Sequence, residues 1–140
     1  MKRPLHLLAF DLGASNGRGI LGRFDGERLV MEELHRFENN FVEVNGMRYW
    51  DCLALYRQLL QCFQAFGGRH GADLDAFGID AWGVDYGLLD REGQLLGNPR
   101  AYRHAVDADM ERVWREVPYR ELFARTGIAT LNFNTVYQLY

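Results

Sequence analysis

The sequence has little net charge, only two cysteines and no long apolar run, and each of these features excludes a class of protein. The net charge is −3 over 140 residues, so nothing favours binding to nucleic acid or to an acidic membrane surface. No apolar segment approaches the roughly 18 residues of a membrane span, and the first residues lack the apolar core of a secretion signal. Cys52 and Cys62 match no zinc-site spacing and lie on one predicted helix, where a disulfide is geometrically unfavourable. We therefore expect two core thiols in a cytoplasmic protein.

The first turn of the chain lacks both of the common phosphate-binding fingerprints. It contains no Gly-x-x-x-x-Gly-Lys-Ser/Thr sequence, which excludes a P-loop. Its glycines do not follow the Gly-x-Gly-x-x-Gly pattern and no helix is predicted after them, which excludes a dinucleotide-binding turn.

The composition is that of an ordinary globular domain, with 48% hydrophobic and 25% charged residues. Strands are predicted over residues 5–10, 17–24 and 28–37, and the Asp25-Gly26 pair is a strong hairpin signal between the last two. The chain therefore opens with a three-stranded antiparallel meander. Asn45-Gly46 predicts a further turn.

A helix is predicted next, because Asp51 is a good N-cap and apolar residues then recur at helical spacing as far as Phe66. The Gly67-Gly68 pair is expected to end this helix. Later in the chain, strands are predicted over residues 77–81 and 86–89 and a turn over residues 90–93. Helical segments are predicted over residues 110–117, 118–127 and 135–140. This order favours an α/β domain with a mixed sheet, since an all-parallel sheet would not begin with two hairpins.

The first segment that could carry chemistry follows the first strand. Asp11 stands at the strand end, where a carboxylate could hold Mg²⁺, mainly through water. Glycines permit positive φ and leave no Cβ in the way, so the following turn could aim several N–H groups, with the Ser15 hydroxyl, at a phosphate. The alternative is a plain glycine-rich hairpin in which Asp11 forms the turn. The candidate phosphate-binding residues are Gly13, Ala14, Ser15, Asn16, Gly17 and Arg18.

The second segment places Trp82 and Gly83 between two aspartates, Asp80 and Asp85. Gly83 indicates close approach of a ligand or another backbone. Trp82 could stack on a sugar face, and Asp85 could accept hydrogen bonds from hydroxyl groups. The alternative is a β-bulge with Trp82 in the core and Asp85 in a turn. Weaker candidates lie further along the chain. Tyr102, Arg103 and His104 could contact a ligand or simply be solvated, and Asn132-Phe133-Asn134 could cap a helix or contact a ligand.

Taken together, the two segments and their separation resemble the FGGY carbohydrate kinases, most closely the rhamnulokinase branch of that family. The resemblance covers nearly the whole chain, in order and without large gaps. The matches include Phe-Asp-Leu-Gly-Ala-Ser-Asn-Gly-Arg at 10–18, which alone resembles only the wider group of actin-like ATPases. The matches specific to the branch are Trp-Gly-Val-Asp at 82–85 and Asn-Thr-Val-Tyr-Gln-Leu at 134–139.

The resemblance implies a ribonuclease H-like, actin-like ATPase fold with ATP and a sugar bound between two domains. Such enzymes transfer the γ-phosphoryl group of ATP to a sugar hydroxyl with Mg²⁺, and in this branch L-rhamnulose becomes L-rhamnulose 1-phosphate during L-rhamnose breakdown. The family's ATP-binding turn falls on residues 14–18 here, and its substrate-contacting glycine on Gly83. The expected partners are therefore ATP and a small sugar. The expected substrate-binding residues are Trp82, Gly83, Asp85, Phe133 and Asn134.

The chain departs from the family pattern at Asn16, where serine is usual, at Ala81, where threonine is usual, and over His104–Asp107. The family's catalytic aspartate lies well downstream, so we expect residues 1–140 to be the N-terminal part of the first domain and inactive alone. One alternative is a non-catalytic actin-like binding module or truncated pseudo-kinase. Another is a kinase for a different ketose, such as fuculose or xylulose.

Overall fold

The strands and helices follow the predicted order with differences at a few boundaries. The structure is a computed structural model that describes residues 3–104 and 108–140, so residues 105–107 of the departure noted above lie outside the described residues. In chain order the elements are β1 (Leu5–Leu12), β2 (Asn16–Phe24), β3 (Leu29–Glu38), β4 (Val42–Val44), β5 (Met47–Tyr49), α1 (Cys52–His70), β6 (Ala76–Asp80), a 3₁₀ helix (Tyr102–His104), α2 (Ala108–Glu116), α3 (Tyr119–Thr126) and α4 (Thr135–Leu139).

The main sheet is mixed and has the strand order β3-β2-β1-β6. Strands β1, β2 and β3 pair antiparallel, which confirms the predicted meander, and β6 pairs parallel to β1. Asp25 closes the β2–β3 turn by accepting the N–H groups of Glu27 and Arg28 at 2.9 and 2.8 Å. The chain divides into two compact units, one formed by the described residues up to Asn40 with Asp51–Trp82, the other by Phe41–Trp50 and Gly83–Tyr140.

The core of the first unit lies between the sheet and α1. Alternation along β1 turns Leu8 and Phe10 to one face, where each is 1% exposed. They pack with Cys62 of α1, and the Phe10 and Phe63 rings lie 5.1 Å apart. Both cysteines are free thiols, as expected, although Cys52 is only partly buried. Burial raises the pKa of the Cys62 thiol.

Helix α1 begins as predicted and ends later than predicted. The Asp51 carboxylate accepts the N–H of Ala54 at 2.9 Å, which confirms the N-cap. The helix continues through the Gly67-Gly68 pair and ends at Gly71, whose φ is 65° and whose N–H donates to Gly67 O. The predicted end was wrong because glycine lowers helix stability by only about 1 kcal/mol, whereas positive φ at Gly71 takes the chain out of the helix.

The second unit contains the β4–β5 hairpin and the three short helices. Asn45 and Gly46 both have positive φ, as the predicted turn requires. Residues 86–89 do not form a strand, and only the pair Leu89 and Leu95 makes a β-bridge. The Asp90 carboxylate holds the intervening turn by accepting two backbone N–H groups, so the turn forms without a ladder beyond it.

Helices α2 and α3 confirm the helical segments predicted over residues 110–117 and 118–127, and Pro118 stands immediately before α3. Gly127 ends α3 in the left-handed conformation. Within the described residues, no helix combines the length and apolar character needed to cross a membrane.

Candidate functional site: two segments at strand ends

The predicted phosphate turn joins β1 to β2 directly. The Gly13 N–H donates to Asn16 O at 2.9 Å, which closes a tight turn. The strand register then places Leu12 opposite Gly17 and Asp11 opposite Arg18. The residues predicted for Mg²⁺ and for phosphate thus lie together at one end of the sheet.

Asp11 and Arg18 form an ion pair across this strand end. Nε and Nη2 of Arg18 donate to the same carboxylate oxygen, Oδ2 of Asp11, at 2.8 and 2.6 Å. The two side chains are 44% and 41% exposed, so the pair lies at the surface. Both bonds end on Oδ2, which leaves Oδ1 outside the guanidinium fork.

The glycines of this turn serve packing rather than positive φ, so the predicted conformational reason is wrong. Gly13, Gly17 and Gly19 are absent from the positive-φ residues. A Cβ on Gly17 would lie 2.2 Å from the Phe37 ring, and a Cβ on Gly19 would lie 2.1 Å from Cys62 Sγ. Strand β2 therefore carries glycines because side chains from β3 and α1 occupy the Cβ positions.

Asn39 is a component of the turn that sequence analysis missed. It directly follows β3, is 4% exposed and donates its side-chain amide to Gly13 O at 2.7 Å. Its backbone N–H donates to Ser15 O at 3.0 Å. The antiparallel meander was the available signal, because pairing of β2 with β3 brings the residue after Glu38 beside the turn before Asn16.

The residues present fit a Mg²⁺ ion that is shared with phosphate. Within the described residues, no group of three or more His, Cys, Asp or Glu side chains could hold a metal ion. Mg²⁺ does not require such a cage, since it commonly takes one or two carboxylates and completes its shell with phosphate oxygens and water. Asp11, a partly exposed carboxylate beside the turn, supplies that kind of ligand.

The second segment is held by the last helix. Thr135 Oγ1 and Gln138 Nε2 both donate to Val84 O, at 2.8 and 3.0 Å. Gln138 Nε2 also donates to Phe133 O at 2.8 Å, and the Tyr86 hydroxyl donates to Gln138 O at 3.1 Å. These bonds bring the chain around Gly83–Asp85 together with the chain at Phe133.

Asp85 is a structural partner of Trp50. Trp50 is 1% exposed, and its indole N–H donates to Asp85 Oδ2 at 2.5 Å. The other carboxylate oxygen, Oδ1, is buried and has no hydrogen-bond partner in the described part of the chain. A buried carboxylate oxygen without a donor is costly, so this atom is a place where a missing donor would stabilise the segment.

Of the remaining residues predicted to contact the substrate, Gly83 has free space beside it, whereas Asn134 already makes a hydrogen bond within its own loop. A Cβ on Gly83 would meet no atom within 4 Å, so the described chain leaves space there. Strand β6 ends at Asp80 and Trp82 is half-buried, so neither a bulge in the strand nor a core tryptophan is formed. The Asn134 side-chain amide donates to Ala129 O at 2.8 Å, which fixes its own loop, and it makes no capping bond to α4.

A groove in the second unit is lined by neighbours of the predicted contacts rather than by the contacts themselves. Its volume is about 590 Å³ and its lining includes Tyr49, Tyr86, Arg100 and Gln138. Gly83, Asp85, Phe133 and Asn134 do not line it. The candidate substrate segment is therefore not identified by the size of the cavity.

The sequence of the chain is similar to those of curated sugar kinases. The rhamnulokinase of Bacteroides thetaiotaomicron is 43% identical over 136 residues, which cover 96% of this chain and 28% of that protein. The rhamnulokinase of Mannheimia succiniciproducens is 41% identical over 138 residues, with the same two coverages. The chain thus spans a little over a quarter of the length of these curated relatives. No family model matches the chain.

Solved structures show the same fold. A xylulose kinase from Lactobacillus acidophilus superimposes with a TM-score of 0.76 at 12% identity, over 96% of this chain and 27% of that chain. A carbohydrate kinase from Novosphingobium aromaticivorans superimposes with a TM-score of 0.66 at 25% identity, over 99% of this chain and 28% of that chain. The actin-like ATPase fold implied by the sequence is confirmed by these neighbours. By sequence, the chain is homologous to curated rhamnulokinases over nearly its whole length, and by fold it is similar to FGGY-type sugar kinases.

Proposed function

We propose that the complete protein transfers the γ-phosphoryl group of ATP to the 1-hydroxyl of L-rhamnulose, giving L-rhamnulose 1-phosphate and ADP in L-rhamnose breakdown. The observation that carries this proposal is the identity of 41–43% to curated rhamnulokinases along 96% of the chain. A cytoplasmic location, favoured by the two free cysteines, belongs to the same proposal.

The domain assignment is part of this proposal. Residues 1–140 form the N-terminal part of the first of two actin-like domains, and the catalytic aspartate lies elsewhere in the complete protein. The coverage of 27–28% of each relative or neighbour supports this assignment. In the transfer, the bond from the γ-phosphorus to the bridging oxygen of ADP breaks and a bond to the sugar oxygen forms. The hydroxyl proton goes to that aspartate, so residues 1–140 alone supply binding surface without a proton acceptor.

On the nucleotide side, the β1–β2 turn binds the phosphates of ATP. Backbone N–H groups of residues 14–16 and the Ser15 hydroxyl donate to phosphate oxygens, the flanking Gly13 and Gly17 form the turn around them, and Arg18 places positive charge beside them. Asp11 holds Mg²⁺ through water; when bound, the ion neutralises charge on the phosphates. The ion pair of Asp11 with Arg18 supports this role, because it fixes the carboxylate beside the turn.

On the sugar side, hydrogen bonds from Thr135 and Gln138 of α4 hold the chain around Gly83–Asp85 close to Phe133. Gly83 offers open space for the sugar, and Asp85 offers one carboxylate oxygen without a donor. That oxygen is screened from solvent, so a sugar hydroxyl reaches it only when neighbouring side chains move. The other proposed contacts are Trp82, Phe133 and Asn134.

A coupled assay of ADP release tests the proposed activity. The complete protein is supplied with Mg·ATP and, in separate reactions, with L-rhamnulose, fuculose and xylulose. We expect turnover with the largest kcat/KM for L-rhamnulose, and none from residues 1–140 alone. A preference for xylulose or fuculose would replace the substrate and keep the reaction. No turnover with any ketose would favour the non-catalytic binding module.

A further inference from the structure

We propose that Asn39 is a positioning residue for ATP, because it fixes the peptide groups of the β1–β2 turn so that their N–H groups face the phosphates. The proposal rests on the proposed function, since it assigns the orientation of the turn that binds ATP there. Among the described residues, Asn39 is the one polar residue that is buried. Its side-chain amide and its backbone N–H both donate hydrogen bonds to carbonyl groups of this turn.

The orientation follows from the planarity of the peptide group. In a trans peptide the C=O of one residue and the N–H of the next point in opposite directions. Asn39 donates its side-chain amide N–H to the C=O of Gly13 and its backbone N–H to the C=O of Ser15. The N–H groups of Ala14 and Asn16 therefore point away from Asn39. Both residues belong to the predicted phosphate-binding set.

The two bonds of Asn39 also restrain the turn against rotation of its peptides. A turn without such bonds would have to order itself when the phosphates bind, and that ordering would weaken affinity. A side chain fixed in the core does not move with the ligand, so the donors are already aimed. The Gly13 N–H bond to Asn16 O closes the turn from within and complements the restraint from Asn39.

The sharpest variant is Asn39→Asp in the complete protein. It keeps the shape of the side chain but replaces the amide donor by an oxygen that repels Gly13 O. Asn39→Ala is a weaker probe, because a cavity of about 70 Å³ beside Asn39 could admit a water molecule that replaces the amide. Asn40→Asp is the matched control, since it makes the same charge change on the next residue, which is exposed.

The readout is KM for ATP against KM for L-rhamnulose, with thermal unfolding measured in parallel. Loss of one buried hydrogen bond predicts about a tenfold rise in KM for ATP in Asn39→Asp, with KM for the ketose within about twofold of wild type. In Asn40→Asp, both constants stay within about twofold. Amide NMR shifts of Ala14 and Asn16 on binding of a non-hydrolysable ATP analogue should shrink in Asn39→Asp.

Several results would overturn the proposal, and they separate it from the proposed function. If Asn39→Asp lowers the unfolding temperature but keeps KM for ATP, Asn39 is only structural. If Asn40→Asp raises KM for ATP equally, the effect is one of charge. If Asn39→Asp does not fold, the wild-type spectra decide: absent shifts at Ala14 and Asn16 on binding of the ATP analogue contradict the orientation. If the wild-type protein binds no Mg·ATP, the proposed function fails and this inference fails with it.

Discussion

Asp11 and Arg18 face each other across the first two strands, and the guanidinium holds a single oxygen of the carboxylate. The predicted cation ligand and the predicted phosphate ligand thus neutralise each other at the mouth of the turn. Both side chains are about two-fifths exposed, so the pair contributes at most about 1 kcal/mol to folding. Its main effect is to fix the direction of the carboxylate.

The first prediction separates the charge of Asp11 from its contribution to folding. Asp11→Asn in the complete protein should raise the Mg²⁺ concentration for half-maximal rate by about tenfold or more, because an amide oxygen is a weaker ligand than a carboxylate. The unfolding free energy should fall by less than about 1 kcal/mol. Steady-state kinetics over a Mg²⁺ series and urea unfolding measure the two effects.

The matched control for Asp11→Asn is Glu32→Gln. Glu32 on β3 pairs with Arg23 and Arg69 in the same unit, away from the turn. Its loss should affect stability by a similar small amount and leave the Mg²⁺ requirement unchanged. An unchanged Mg²⁺ requirement in Asp11→Asn would remove Asp11 from the proposed metal site.

The second prediction concerns the carboxylate that supports Trp50. Asp85→Ala removes the carboxylate that accepts the buried indole N–H and should lower the unfolding free energy by about 1–3 kcal/mol. Asp85→Asn keeps an acceptor for Trp50 and should cost less than about 1 kcal/mol. Both variants should raise KM for the ketose in the complete protein if Asp85 contacts the sugar. Equal stability losses in the two variants would contradict the role of the indole bond.

The meander and the first turn were predictable because their signals are local. Alternating apolar residues and the Asp25-Gly26 turn determine β2 and β3, and a short turn between β1 and β2 leaves their register little freedom. Asn39 and Trp50 were missed because their roles depend on partners from distant parts of the sequence. No local pattern in one sequence reports that the Trp50 indole will meet Asp85. The predicted meander brings the residue after β3 beside the first turn, but it does not report that the side chain will reach Gly13 O.

The glycines show where local rules misled the prediction. Gly67-Gly68 has the composition of a helix stop, yet tertiary packing of α1 on the sheet continues the helix past it. The space that a Cβ would need at Gly17 and Gly19 is taken by the side chains of Phe37 and Cys62. The sequence does not reveal this packing. Residues 86–89 have the apolar character of a strand but lack a ladder partner, so only one bridge forms.

The third prediction tests the end of α1. Gly68 lies within the helix, is exposed and has no atom within 4 Å of its Cβ position, so Gly68→Ala should stabilise the protein by about 0.5–1 kcal/mol. Gly71 has φ 65° and ψ −137°, a conformation that a Cβ strains, so Gly71→Ala should destabilise by about 1–3 kcal/mol. Urea unfolding compares the two alanine variants, and opposite signs are expected. Destabilisation by both would place the helix end at Gly67-Gly68 after all.

The fourth prediction uses the contact between Gly19 and Cys62. Gly19→Ala would place a methyl group 2.1 Å from Cys62 Sγ and should destabilise by about 1–3 kcal/mol. In the double variant Gly19→Ala/Cys62→Ala the sulfur is gone, and Cβ of residue 62 lies 3.3 Å from the added methyl group. The double variant should therefore be more stable than the sum of the two single losses implies, by about 1 kcal/mol or more. Additive losses in a double-mutant cycle would show that another contact limits Gly19.

The last prediction concerns acid stability at the edge where β1 begins. Asp75 accepts two bonds from the Arg3 guanidinium, at 2.8 and 2.9 Å, and one from the His6 N–H at 2.7 Å. The Arg3 bonds first, and the His6 bond next, hold the pKa of Asp75 below its ordinary value of 3.8. A carboxyl with a lowered folded pKa stabilises the protein above the unfolded value, and this stabilisation is lost as pH falls through the folded pKa.

Asp75→Asn should therefore be less stable than wild type near neutral pH, and the difference should shrink as pH falls below the ordinary value of 3.8. Thermal unfolding from about pH 7 to about pH 3 measures this convergence. Asp73→Asn is the control, since no side-chain bond joins that carboxylate to Arg3 and only its backbone oxygen meets His6. Its difference from wild type should change little over the same range. A stability difference for Asp75→Asn that stays constant down to the lowest pH would show that shape, not charge, carries the contact.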